Sequence, residues 1–145
     1  MVGVVKWKFN DRLDAGLLLL RAGTGSMFVI VHGYPKVIGG LTLWRGLGGA
    51  FNRLIGLDFV PGFWGFLAML AEFGGGLCLV AGIFFRPACA AILFTLLVAV
   101  ISILNGGYGF NSASQPLELE IIVAALFLTG PGKFTARQFS RKKKA

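Results

Sequence analysis

Four ionisable residues stand inside long apolar runs or at their edges: Arg21, His32, Glu72 and Glu118. A charge at membrane depth is costly, so each marks a buried pair or a functional group. Arg21 lies ~12 Å from the inner end of a run that begins at Leu13, and Glu72 lies ~15 Å from the outer end of its own run, at helical rise. In antiparallel helices these depths nearly coincide, which predicts an Arg21–Glu72 ion pair inside the bundle. Ala68 and Gly76, one turn either side of Glu72, would let another helix come close. Such a pair serves as a structural clamp, or it leaves Glu72 partly protonated by desolvation and able to exchange protons with a bound redox molecule.

His32 follows Arg21 by three helical turns and falls on the same stripe, with Gly25 and Phe28 between them. It opens the segment His-Gly-Tyr-Pro-Lys, level with the start of the last apolar run and its Glu118 and Glu120. Those glutamates point about 200° apart on a helix, so only one faces the bundle, and Glu118 is the partner assigned to His32. The expected result is a polar seam through Arg21, Glu72, His32 and Glu118. His32 is then a hydrogen-bonded anchor, or it and a carboxylate hold a quinone headgroup beneath a lid that includes Trp44 and Phe51. A lone histidine argues against a metal site. Gly74-Gly75-Gly76 lies in an apolar run without the strand that a nucleotide loop needs, and no serine has a nucleophile-elbow pattern. Cys78 and Cys89 form no CxxC motif and read as buried thiols.

The elements that must position these residues are membrane helices. The chain has 145 residues, 56% hydrophobic and 14% charged, with a mean hydropathy of +0.78. A soluble domain carries about a quarter charged residues. The 22 glycines would weaken a soluble helical core but allow close helix contacts in lipid. Punctuation by Arg86-Pro87, Pro116 and Gly130-Pro131-Gly132 predicts an all-α bundle of four transmembrane helices over about residues 13–32, 62–85, 87–104 and 115–130. The fourth is short and would borrow a turn from the loop before it. Trp44, Leu47, Phe51, Leu54 and Ile55 have helical spacing, which predicts a short amphipathic helix in the outer interface between helices one and two.

The net charge of +8 does not point to nucleic acid, because the basic residues sit at the edges of apolar runs. Lys6, Lys8, Arg12, Arg86 and a basic tail over residues 133–145 fall on one side; Lys36, Arg45 and Arg53 fall on the other. The positive-inside rule then places both termini in the cytoplasm.

The order of features resembles the DoxX family of small bacterial four-helix membrane proteins. It runs from Leu-Leu-Arg21 through His32-Gly33 with Lys36, then Glu72-Phe-Gly-Gly-Gly76, Gly82 with Arg86-Pro-Ala, Gln-Pro116-Leu-Glu-Leu and Gly130-Pro-Gly132-Lys, over nearly the whole chain. The resemblance implies a single DoxX-like domain in the bacterial inner membrane. The family is named for its similarity to DoxD, a membrane subunit linked to thiosulfate:quinone oxidoreductase, and its members are also linked to membrane redox and thiol-stress complexes. By position, Arg21, His32, Lys36, Glu72 and Glu118 match its polar pattern.

The leading expectation is a membrane subunit associated with quinone-linked redox chemistry, with quinone as the cofactor. The alternatives are a non-catalytic accessory subunit of a larger respiratory or photosynthetic complex and a small-solute carrier. The expected partners are the lipid bilayer with other membrane subunits or further copies of the chain.

Overall fold

The computed structural model describes residues 9–136; Lys6, Lys8 and residues 137–145 of the basic tail lie outside the described residues. The chain forms α1 (Phe9–Met27), a π-helical turn (Phe28–Gly33), α2 (Tyr34–Ile55) and α3 (Pro61–Met69). A second π-helical turn (Leu70–Gly74) follows, then α4 (Gly75–Ala81), α5 (Phe85–Asn105) and α6 (Gly109–Thr129). The expected all-α class is borne out, with no strand among the described residues. Four helical stretches are long and apolar enough to cross a membrane: Asn10–Ile55, Pro61–Ala81, Phe85–Asn105 and Gly109–Thr129.

The first helix does not stop at residue 32. It continues through Pro35, although proline lacks an N–H and crowds the carbonyl four residues back. That carbonyl belongs to Val31, inside the first π-helical turn. The wide turn shifts the bonding pattern, so the Tyr34 N–H reaches Val29 instead. The axis breaks at Gly40, whose φ of 55° and ψ of −151° lie close to a region open essentially to glycine alone. The helix expected after Trp44 is therefore present but joined to the first span. Beyond the break, Leu41, Trp44, Gly48 and Phe51 all meet residues 61–66, so residues 41–55 cross the first turns of α3 rather than run its length.

The second span ends at Ala81 rather than at 85. Gly82 takes the left-handed conformation with φ of 68°, and its N–H bonds the Cys78 carbonyl at 2.8 Å. The fourth span starts at Gly109, with Pro116 inside it. Residues 109–115, expected as loop, supply almost two extra turns. The Ser112 and Ser114 hydroxyls donate back to the Tyr108 and Asn111 carbonyls at 2.9 and 2.8 Å, so these polar side chains are satisfied on the helix itself.

Phe28, Leu79, Cys89, Ile92, Val123 and Leu126 are fully shielded and draw all four spans into one core. Lipid tails are as apolar as leucine, so close packing rather than water exclusion holds such helices together. Glycine supplies the closeness. A Cβ added to Gly25 would lie 2.7 Å from the Gly76 carbonyl oxygen, and one on Gly48 would lie 1.7 Å from that of Pro61.

Candidate functional site

The two π-helical turns face each other across the interface of the first two spans: a Cβ on Gly33, in the first, would lie 2.6 Å from the Phe73 Cα in the second. Such turns widen a helix locally and recur at functional sites. His32 lies in the first turn and Glu72 in the second. Glu72 is buried at 5% exposure, and Lys36 donates a hydrogen bond to its Oε2, closing an ion pair. Eleven residues separate Glu72 from Pro61 and nine from Ala81, which puts this pair near the middle of the span.

Arg21 does not pair with Glu72. Its Nη1 donates to the carbonyls of Leu79 at 3.0 Å and Val80 at 2.9 Å, and its Nη2 donates to the Phe134 carbonyl. A fully buried guanidinium thus caps the C-terminal end of α4 and fastens the segment after α6. The expected pairing assumed a first helix ending near His32. Because the helix runs on past Pro35, Arg21 sits lower, opposite residues 79–82, and Lys36 takes the place opposite Glu72.

His32 is half-buried and lies against the Phe28 ring, with centroids 5.4 Å apart. It makes no hydrogen bond to Glu118 among the described residues; Glu118 is exposed on α6, while Glu120 is half-buried. The seam is therefore divided. His32 stands in the first π-helical turn, Lys36 one turn further on pairs with Glu72 of the second, Arg21 serves the end of α4, and Glu118 faces away. Lys36 is the member that depth alone did not single out. Its signal was its position one turn beyond His32, visible only if the helix is continued through Pro35.

Of the two lid residues, Trp44 is tied to the backbone of the residue that pairs with Glu72, since its indole N–H donates to the Lys36 carbonyl at 2.8 Å. Phe51 packs on Trp64 and Phe94 instead, with centroids 4.7 and 5.9 Å away. It lines an apolar groove of about 510 Å³ together with Ala71, Gly74 and Cys78. Ala71 and Gly74 belong to the same π-helical turn as Glu72, so the ion pair and the groove share one turn of backbone. Among the described residues no three of His, Cys, Asp and Glu gather as metal ligands.

A family model described as DoxX matches residues 16–105, the segment that holds Arg21, His32, Lys36 and Glu72. The inner membrane protein YqjF of Escherichia coli (strain K12) is 39% identical over 133 residues, covering 90% of this chain and 95% of that protein. No solved structure matches the chain. With four helical stretches long and apolar enough to cross a membrane and this match over most of its length, the chain belongs to the DoxX family and is a multi-pass protein of the bacterial inner membrane.

Proposed function

We propose that the chain is a membrane subunit associated with quinone-linked redox chemistry, in which Lys36, Glu72 and His32 meet the quinone headgroup. One observation carries this reading: a largely buried Lys36–Glu72 ion pair links the start of α2 to the second π-helical turn at mid-span, beside the first π-helical turn that holds His32. A quinone takes up two electrons and two protons to become a quinol. An ammonium and an imidazole can donate to its carbonyl oxygens, and a carboxylate can pass protons. The apolar groove beside Ala71 and Gly74 offers a surface for an isoprenoid tail. The electrons, on this reading, come from a partner subunit.

Quinone analysis of the purified protein, set beside quinone-dependent respiration of membrane vesicles, tests the proposal. The expected result is co-purifying quinone, with both quinone and turnover falling at least about tenfold in Glu72→Gln, the usual scale for losing a general acid–base group. Protein without quinone, together with unchanged turnover in the variant, overturns it.

A second reading, the non-catalytic accessory subunit, is favoured by the open groove itself, whose nearly continuous apolar lining suits a helix of a larger membrane complex. Recovery of the chain from native membranes free of other subunits would remove it.

A further inference from the structure

The outward face of α6 is polar where it should be apolar. Asn111, Gln115 and Glu118 recur at four- and three-residue spacing and are all exposed, whereas the buried Ala113 and Val123 project well away from them round the helix. Leu126, two turns beyond Glu118 and near the same line, is buried, so the exposed polar stripe is confined to the first half of α6; among the described residues, none of its three side chains makes an ion pair or a hydrogen bond.

The neighbouring helix sets their depth. α5 and α6 are joined through residues 106–108 alone, so residues 111–118 run antiparallel beside roughly residues 96–103 of α5. There α5 exposes Leu97 at 45% and Ile101 at 38%, a face suited to hydrocarbon. Glu118 itself stands nine residues into the twenty-one of α6, ~14 Å from its start. A carboxyl at that depth, with the Gln115 amide one turn nearer the helix start, cannot be satisfied by lipid, and leaving them unpaired is expensive.

We propose that this face of α6 is a homodimer interface, covered by the same face of a second copy. The stripe contains its own complement, since Gln115 supplies an amide donor and Glu118 an acceptor one turn away. A two-fold axis along the membrane normal brings the Gln115 donor of each protomer to the Glu118 acceptor of the other. Ser114 and Ala125, flanking the stripe, are small enough to let the helices approach. The proposal is independent of the quinone reading.

Native mass spectrometry of the full chain in mild detergent, with cysteine cross-linking in native membranes, tests it. The expected result is two copies for the wild type and in Glu118→Gln, which keeps an acceptor. Glu118→Leu and Gln115→Leu each weaken the dimer about tenfold, the scale of interhelical hydrogen bonds in membranes. These variants place leucine where lipid tolerates it, so folding is retained. Ser114→Cys and Ala125→Cys cross-link between copies, and Leu97→Cys on α5 does not. A monomeric wild type, a dimer unaffected by the double leucine variant, or one copy bound to a different membrane protein through this face overturns the proposal.

Discussion

Lys36 and Glu72 are each other's only ion-pair partners among the described residues. Removing one leaves the other uncompensated in a buried setting, so Lys36→Met or Glu72→Leu should cost about 3–5 kcal/mol, while the double apolar variant recovers most of it. Thermal unfolding in detergent micelles, compared across the two single variants and the double, checks this. Arg21 makes a different demand, because a planar fork reaches three carbonyls, two at the end of α4 and one in the segment after α6. Lysine keeps the charge but loses the fork. Arg21→Lys should therefore destabilise by about 1–3 kcal/mol and expose the segment around Phe134 to protease before the rest of the chain. At this scale the sequence showed which residues were costly to bury. It did not show which met which, since pairing depends on helix register, and one misplaced helix end moves every partner.

At the scale of elements, glycines divide into two groups. Gly16 and Gly23 have open space around an added Cβ, whereas Gly25, Gly48 and Gly65 would meet backbone within 3 Å. Gly23→Ala should leave stability unchanged or raise it by up to ~1 kcal/mol. Gly48→Ala should unfold the packing of residues 41–55 on α3, and circular dichroism melting of the two variants side by side separates these outcomes. Gly40→Val should fail for a different reason, since its backbone angles exclude a branched side chain even in open space. The spans themselves were legible from apolar runs and their Gly/Pro punctuation. Pro116 misled that reading, because it lies inside α6 rather than at its start, and the end expected for the first span near residue 32 is crossed by a helix that continues through Pro35, which the π-helical turn accommodates.

Across the whole molecule, the segment after α6 is tied back to the start of α1. Lys133 bonds Asp11 at 3.2 Å, and its backbone N–H donates to Asp14 at 2.9 Å. The hydrogen bond and charge of Asp11, followed by those of Asp14, hold the Lys133 ammonium above its ordinary value of 10.5. A group raised on folding contributes fully below its unfolded pKa, and the contribution is lost as pH rises through the folded value. A spin label at Ala136 should therefore gain a little mobility only above the ordinary lysine range, and Lys133→Met should give the same small gain at neutral pH, since the bonds from Arg21 to the Phe134 carbonyl and from the Lys133 backbone N–H to Asp14 remain. The basic count predicts both termini in the cytoplasm. A fluorescent-protein fusion at the C-terminus should then fluoresce, and alkaline phosphatase inserted at Gly107 should be active.

The sequence by itself determined the class of protein, the number of spans and the two buried charges, Arg21 and Glu72, because each follows from local composition and the cost of charge in lipid. Tertiary structure alone decided that Lys36 rather than Arg21 faces Glu72, that Arg21 caps α4, and that Glu118 looks outward. These depend on where a helix bends, widens or continues, which is settled by packing between helices distant in the chain. The four spans were readable one at a time; the chemistry between them became readable only once their register was known.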